Sequence, residues 1–537
     1  MTRSGGGFRV WIPIMILGAA QFVMVLDSSV MNVSISQIVA DLDTTVAGVQ
    51  LAITAYTLVM AAFMLVGAKL GDIWGRNRTF AVGLAVYGLG SLTTALSPNL
   101  YVLLFGWSLV EGLGAVLVIP AIAALIVANY EGRMRALAYG LIGGIAGAAI
   151  AVGPLIGGWV TTTFSWRYVF AGETVVVIAI LLARRWIASA ARPERAPRLD
   201  YVGAALSSLG LGLAVYGILK SSEWGWVEPI GTPTIAGYEI TPFGFSPVPF
   251  LILAGVGLLG AFAMWEERRE RKGRDTLLNR ALLKIAHLRA GLSVLVMQQL
   301  ILLGTFFVLP VYLQVVLGLD AFETGKRLFP MSVTMLIAAL AGPRLAEKFA
   351  PKRVAQLGLA ALVVGAFGLV GTVDVELNAR AFAIALAVFG TGIGLLLSQL
   401  GNVIMSSVDE SDTNEAGGLQ GTAQNLGASL GTALIGSILL AGLTGGFISR
   451  VETNPDLPPE VRTQIVAAAE SGIDIVPVDQ ARQVAVDAGL PAEQADALAT
   501  DYGEAQLDAL ERSLLAVAII AVLSFWFTRR LPGHDRR

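Results

Sequence analysis

Long apolar runs limit what this 537-residue chain can fold into more than any other feature of its sequence. A helix that crosses a membrane needs about 20 mostly apolar residues. Only 14% of the residues are charged, whereas soluble domains carry about 25%. We therefore expect an all-α polytopic membrane protein with fourteen spans. The expected spans are residues 11–35, 47–67, 80–96, 101–127, 136–161, 168–186, 201–220, 248–265, 290–314, 324–342, 354–371, 379–404, 416–444 and 511–528.

Basic residues are distributed unevenly between the two sides that this layout creates. Cytoplasmic segments of membrane proteins carry an excess of Lys and Arg. With the N-terminus in the cytoplasm, 28 of the 37 Lys and Arg residues fall in cytoplasmic segments. An even number of spans returns the C-terminus to the same side. The sequence thus predicts a multi-pass cell-membrane protein with both termini cytoplasmic, and its many Gly, Ala and Arg residues favour a bacterial source.

A short charged loop occurs twice in the chain. The segment GAKLGDIWGRNRTF at 67–80 has a degraded copy, GPRLAEKFAPKR, at 342–353. This repeat predicts two related six-helix bundles with an inserted helix pair between them. The predicted segments are 1–200 (first bundle), 201–265 (inserted pair), 266–289 (cytoplasmic connector) and 290–537 (second bundle).

Two of the outer loops are long. Residues 221–247 are rich in Gly, Pro and aromatic side chains, so we expect a small hairpin there. Acidic residues dominate 445–510, and helix-like pieces lie at 459–471 and 491–510. Two interpretations of the acidic loop stay open, a solubilising insert and a gate or docking element.

Several classes of protein are disfavoured by composition. The chain has no cysteine and only two histidines, His287 and His534, so we expect no metal site and no thiol chemistry. A net charge of -2 gives no sign of a nucleic-acid partner. Glycine patterns typical of nucleotide-binding or nucleophile turns fall inside apolar helices, without the strand that such turns need. The sequence therefore predicts neither an enzyme nor a cofactor, and it indicates no particular protein partner.

Ionisable residues inside the apolar runs are the main candidates for function, because each is costly in a bilayer unless it faces a cavity or a partner. Asp27 lies in the first run beside a polar stripe that includes Asn32. Glu111 lies near the middle of the fourth run, one turn after Trp107. For both acids a proton or substrate site is favoured over a structural carboxylate. Glu173 is a weaker candidate, with pairing to Arg167 as its alternative.

Polar amides, small residues and loop charges complete the candidate set. The amides suggest a polar wall of a central cavity, although each alone could join two helices. The amides are Gln298, Gln299, Gln399, Asn402, Gln424 and Asn425. The small residues predict a packing seam and hinge in the fifth run; they are Gly153, Pro154, Gly157 and Gly158. The loop charges predict a conformational latch; they are Asp72, Arg76 and Arg78, with Glu347 and Arg353 in the degraded copy.

These segments resemble the major facilitator superfamily, and within it the fourteen-helix drug:proton antiporters (EmrB/QacA-like multidrug exporters). LGDIWGRNR at 70–78 is similar to the superfamily's loop between helices two and three. LDSSVMNV at 26–33 is similar to the first-helix motif of the fourteen-helix branch, and the segment ending GPLIGG at 153–158 to the fifth-helix antiporter motif. The resemblance implies an exporter of small amphiphilic compounds, driven by a proton gradient without a cofactor.

The chain departs from that family in helix four. Ser108 stands where the family has an Arg tied to proton coupling, and Glu111 stands where it has a Gln. We infer that coupling here runs through Asp27 and Glu111 as a carboxylate pair, of which at least one is protonated at rest. The alternatives are an exporter of lipids or glycolipids, an exporter of one dedicated metabolite, and a non-transporting membrane sensor or scaffold.

Overall fold

The computed structural model describes residues 10–188, 198–230, 233–235, 238–408, 413–469 and 472–533. Fourteen long helices follow one another along this part of the chain. They are α1 (Ile12–Val33), α2 (Val46–Trp74), α3 (Arg76–Ala95), α4 (Leu100–Asn129), α5 (Gly132–Thr163), α6 (Arg167–Ala183), α7 (Tyr201–Leu219), α8 (Pro247–Arg271), α9 (Ala286–Val316), α10 (Ala321–Lys348), α11 (Pro351–Val370), α12 (Ala379–Met405), α13 (Thr413–Thr453) and α14 (Ala492–Ser524). The shorter helices include Ile35–Leu42, Ser221–Trp224, Arg280–Lys284, Pro459–Ala469 and Val478–Asp487.

Each predicted span coincides with one of these helices, and the all-α fold class is as predicted. Among the described residues, eleven helices are long and apolar enough to cross a membrane, or twelve if α5, bent by 42° between Ile150 and Val152, counts as one span. α3 has a polar first turn and α6 has only 17 residues, which is why those two fall short. The number fourteen therefore stays a prediction.

The helices pack as two bundles joined along two seams. In the first bundle α1 packs on α5, and α3 packs on α4 and α6. In the second, α12 packs on α10 and α11, and α9 packs on α13. The bundles meet where α5 packs on α10 and where α2 packs on α13. The inserted pair, α7 and α8, packs together, with α7 lying over the second of these seams.

The two ends of α2 serve to name the two faces of the molecule. Helix Ile35–Leu42 leads into its first residues, so we call that end the Asp41 face. Its last turn carries Asp72, and we call that end the Asp72 face. The 29 residues of α2 span about 43 Å at 1.5 Å per residue. The sequence predicted a charged loop from residue 67, which is wrong for residues 67–74, since they are helical. Charged residues continue the helix to Trp74, and Gly75, with φ of 91°, ends it.

The long loops lie on the Asp41 face. The strands Thr234–Ile235 and Tyr238–Glu239 pair antiparallel, which confirms the expected hairpin. In the acidic loop, helix Pro459–Ala469 matches a predicted piece. The piece at 491–510 is helical but continuous with α14. Glu504 and Asp508 on this extension form ion pairs with Arg450 of α13. These ion pairs hold α13 and α14 together where both helices continue past their apolar runs.

Candidate functional site

The middle of α4 departs from regular α-helix. Residues Leu104–Glu111 form a π-helix, a rare geometry that often occurs at functional sites. Its buried side chains include Trp107, Ser108 and Glu111. The Ser108 hydroxyl donates to the Ala52 carbonyl of α2 at 2.8 Å, so Ser108 joins two helices. The sequence singled out Trp107 and Glu111 as candidates but did not predict the π-helical geometry of this segment.

Asp27 and Trp107 are joined by a buried hydrogen bond. The Trp107 indole N–H donates to both carboxylate oxygens of Asp27, with N–O distances of 2.8 and 3.0 Å. Tyr56 of α2 stacks on the indole, with ring centroids 4.6 Å apart and planes 6° apart. All three side chains are at most 1% exposed. α1, α2 and α4 therefore fix the position of this carboxylate together.

Three carboxyl groups meet in the interior of the first bundle. Asp27 of α1, Glu111 of α4 and Glu173 of α6 each offer an oxygen, and these oxygens lie within 4.8 Å of one another. The exposed fractions of the three residues are 0%, 0% and 3%. At that separation, two ionised carboxylates repel by roughly 3.5 kcal/mol at an effective dielectric constant of about 20. We call these residues the carboxyl triad.

Glu111 and Glu173 have few partners. Neither oxygen of Glu111 has a hydrogen-bond partner among the described residues, and neither does the nearby Tyr87 hydroxyl. Ser91 of α3 lies 3.0 Å from Glu173 Oε2. The alternative that Glu173 pairs with Arg167 is wrong. Arg167 binds Asp41 at 2.8 Å and the Ser97 carbonyl at 3.0 Å, because it lies at the Asp41 face.

The predicted amides lie in different surroundings. Asn32 donates to the Ser28 carbonyl of its own helix at 2.7 Å. Gln298 is fully buried, and its amide has no partner among the described residues. Gln399 donates to the Gly342 carbonyl at 3.1 Å, between α12 and α10. The remaining amides are partly buried or exposed: Gln299, Asn402, Gln424 and Asn425.

The predicted latch is in part an ion pair across Gly75. Arg76 at the start of α3 binds Asp72 and also donates to the Ala68 carbonyl at 3.3 Å. Asp72 lies in the last turn of α2. Arg78 is exposed. In the second copy of the loop Arg353 is exposed, and the side chain of Glu347 lies outside the described part of the structure.

An ion pair on the Asp72 face connects the two bundles. Lys69 of α2 lies 3.8 Å from Glu415 of α13.

The predicted seam in α5 lies against both bundles. A Cβ atom on Gly153 or Gly157 would stand 2.5 Å from Ser29 Oγ or 2.7 Å from Val30 Cγ2 of α1. On Gly158 it would stand 2.3 Å from the Ala321 carbonyl oxygen of α10. Pro154 offers its carbonyl oxygen to the same seam, 2.2 Å from where a Cβ on Gly325 would lie. Small residues thus let α5 approach α1 and α10 closely.

Hydrogen bonds join the two bundles at the Asp41 face, and sequence reasoning missed them. Gln314, in the π-helical end of α9 (Tyr312–Val316), accepts from the Ser36 amide at 3.1 Å and from its hydroxyl at 2.7 Å. Its own amide donates to the Val33 carbonyl at 2.9 Å. Tyr56, Tyr87 and Ser91 around the triad were missed as well. An isolated Gln in an apolar run, and two polar residues one turn apart in α3, were the available signals.

A fold of two helical bundles with buried carboxyls defines a class of membrane transporters, and comparisons with known proteins support that class. The Major Facilitator Superfamily profile matches residues 17–227 and 209–432. The chain is 26% identical over 537 residues to the tetracenomycin C resistance and export protein of Streptomyces glaucescens, covering 99% of this chain and 94% of that protein. It is 30% identical over 456 residues to the puromycin resistance protein pur8 of Streptomyces alboniger, covering 83% and 85%.

Solved structures share the fold. A bacterial homolog of the human lysosomal transporter Spinster, in an inward-facing and unoccupied conformation, superposes with a TM-score of 0.62 at 14% identity and covers 98% of both chains. The D-xylose-proton symporter gives 0.59 at 10% identity, again covering 98% of both. The chain belongs to the Major Facilitator Superfamily. It is therefore a multi-pass membrane transporter and not an enzyme, as the sequence predicted.

Proposed function

We propose that this chain is a proton-coupled antiporter that exports small hydrophobic or cationic compounds. The observation that carries the proposal is the carboxyl triad. Buried acids without basic partners are unusual in membrane proteins and typical of proton pathways. Here they come from α1, α4 and α6, three helices of one bundle. Relatives named for resistance to tetracenomycin C and to puromycin support an exporter of antibiotic-like compounds.

The mechanism follows from alternating access. The two bundles rock against each other around a site near the middle of the membrane, and each ligand shifts the equilibrium by its different affinity for the two conformations. We place the Asp41 face outside and the Asp72 face in the cytoplasm of a bacterial cell membrane, with both termini cytoplasmic. The bonds of Gln314 favour the conformation that is closed to the outside.

Proton and substrate then favour opposite conformations. A proton entering from outside neutralises a carboxylate of the triad, and its release to the cytoplasm restores the charge. The amides of α9 and α13 form one wall of the substrate site, including Gln298, which has no hydrogen-bond partner in the described part of the chain. The ion pairs Asp72–Arg76 and Lys69–Glu415 hold the cytoplasmic ends of α2, α3 and α13 in one conformation. The proton gradient supplies the free energy, and no cofactor is involved.

The test is substrate-induced proton release from inverted membrane vesicles. An acid-interior pH gradient is set, and tetraphenylphosphonium, puromycin or a lipid suspension is added while a pH-sensitive dye reports the gradient. We expect at least one lipophilic cation or antibiotic to discharge the gradient in wild type. Asp27→Asn should abolish this response. Asp479→Asn, at an exposed position in the acidic loop, is the matched control and should keep it.

Two outcomes would count against the proposal. If the folded wild type responds only to lipids, the substrate class is wrong and lipid export takes its place. If Asp27→Asn and Asp479→Asn respond equally, the triad does not couple transport to protons.

A further inference from the structure

The hydrogen-bond donors around the carboxyl triad are distributed unevenly, and this asymmetry identifies the charged member. Asp27 receives the Trp107 N–H on both oxygens. An indole N–H can only donate, so Asp27 must accept, which suits a carboxylate. The Tyr56 hydroxyl also lies beside Asp27. Asp27 is therefore the member of the triad whose negative charge receives the most hydrogen-bond donors.

Ser91 identifies a neutral member. Its hydroxyl oxygen lies 3.1 Å from the Phe170 carbonyl oxygen and 3.0 Å from Glu173 Oε2. A serine hydroxyl has one hydrogen, so it cannot donate a full hydrogen bond to both oxygens. A carbonyl can only accept, so both contacts are full hydrogen bonds only if Ser91 donates to Phe170. Both contacts are then satisfied if Glu173 carries a proton on Oε2 and donates it to Ser91.

Of the three carboxyl groups, that of Glu111 has the fewest hydrogen-bond donors to stabilise a negative charge. Both of its oxygens are buried with no described donor at hydrogen-bond distance, although the Tyr87 hydroxyl lies nearby, and a buried ionised carboxylate without bonded donors is very costly. No Lys, Arg or His among the described residues forms an ion pair with the triad, and Arg167, the partner considered for Glu173, is bound to Asp41. The other titratable groups facing the triad are the hydroxyls of Tyr56 and Tyr87.

We infer that Asp27, Glu111 and Glu173 form one site that binds two protons, with Glu111 and Glu173 as carboxylic acids and Asp27 as the carboxylate. A metal cation fits this site less well, because Trp107 aims its N–H hydrogen at Asp27 and would repel a cation there. The inference deepens the proposed function and rests on it for any role in transport. The number of protons bound at the site can be measured without a transport assay.

The test is infrared spectroscopy of the purified full-length protein at neutral pH, in the region where protonated carboxyl groups absorb. Apart from any band that Glu266→Gln removes, wild type should show two bands from buried carboxylic acids, identified by their slow shift in heavy water. Glu111→Gln should remove one band, Glu173→Gln should remove the other, and Asp27→Asn should remove neither. Glu266→Gln is the matched control, since Glu266 is a buried glutamate outside the triad, and it assigns any band of its own.

A second variant keeps the test decisive if a glutamate variant does not fold. Ser91→Ala removes the acceptor of the Glu173 proton, so it should move the Glu173 band to higher frequency and leave the other unchanged. The inference is overturned if wild type shows a single band, if Asp27→Asn removes a band, or if Ser91→Ala moves nothing. It is also overturned if added Na⁺ or Ca²⁺ removes the bands, since the site would then hold a metal cation.

This result is separable from the proposed function. Two bands with no proton release in vesicles would retain the site and reject the antiporter. Proton release with a single band would retain the antiporter and reject the two-proton site.

Discussion

The indole N–H of Trp107 points between the two carboxylate oxygens of Asp27, 2.8 and 3.0 Å away, in the interior of the first bundle. Eighty residues separate the two in sequence. Their contact ties α1 to the π-helical part of α4, so a change in the charge of Asp27 acts directly on the helix that carries Glu111.

Replacing the donor should weaken the bundle. Trp107→Phe keeps most of the ring but leaves the Asp27 carboxylate without its indole partner, which costs about 1–3 kcal/mol. We expect a lower thermal midpoint of the detergent-purified protein. Trp159→Phe, at a tryptophan that is 50% exposed, should change the midpoint little. In an Asp27→Asn background the Trp107 change should cost less, because no charge is left unpaired. Equal shifts for the two tryptophans would contradict this account.

Close approach of α5 and α10 gives a second prediction. In Gly158→Ala the new Cβ would lie 2.3 Å from the Ala321 carbonyl oxygen, and backbone cannot move aside cheaply. We expect a loss of about 1–3 kcal/mol, as for other overpacked sites, seen as a lower thermal midpoint and slower export. Gly172→Ala in α6 is the control, because nothing lies within 4 Å of its Cβ position. If both variants behave alike, the seam does not depend on small residues.

Gln314 should control opening of the Asp41 face. Gln314→Ala removes its bonds to Ser36 and Val33, and a loss of one or two kcal/mol changes an equilibrium about 5–30-fold. The chain has no cysteine, so a single reporter, Val33→Cys, can be labelled with an impermeant maleimide. We expect labelling about 5–30-fold faster with Gln314→Ala. Gln356→Ala, whose amide binds Thr528 within the second bundle, should leave the rate unchanged. Equal rates in both variants would exclude this gate.

The two arginines after Gly75 should differ in importance. Asp72→Asn takes the charged partner from Arg76, which is only 7% exposed, and hydrogen bonds to charged groups contribute about 1.5–3 kcal/mol. We expect a lower thermal midpoint and reduced export. Arg78→Ala changes an exposed side chain and should stay within about 0.5 kcal/mol of wild type. The reverse order would place the latch at Arg78.

Local sequence predicted the helices and singled out Asp27 and Glu111 as candidates, and it failed where contacts between distant segments decide the structure. Asp27 and Glu111 stood out because charge is costly inside an apolar run. Their meeting with Glu173 depends on three helices and on the π-helical winding of Leu104–Glu111, which hydropathy does not report. The end of α2 was misplaced because hydropathy reports where an apolar run ends, whereas the helix continues through Lys69 and Asp72 beyond that point. Gln314 was missed because its partners lie 278 and 281 residues away.

The final prediction concerns how many protons accompany each substrate. If the triad releases both of its protons per cycle, wild type should exchange two protons for one substrate molecule. Glu173→Gln keeps a neutral group of the same shape beside Ser91, so Asp27 and Glu111 should still exchange one proton. The ratio is measured in proteoliposomes, as the substrate gradient at which an imposed pH gradient causes no net transport when the membrane potential is zero.

For the same pH gradient, the balancing substrate gradient of wild type should be the square of that of Glu173→Gln, because each exchanged proton multiplies it by the proton ratio once. Glu266→Gln should give the same balancing gradient as wild type. Its carboxyl lies outside the triad, near the end of α8 on the Asp72 face. An unchanged ratio in Glu173→Gln would mean that Glu173 holds its proton throughout the cycle and only fills space beside Ser91. Complete loss of coupling would mean that the two protons cannot be released separately.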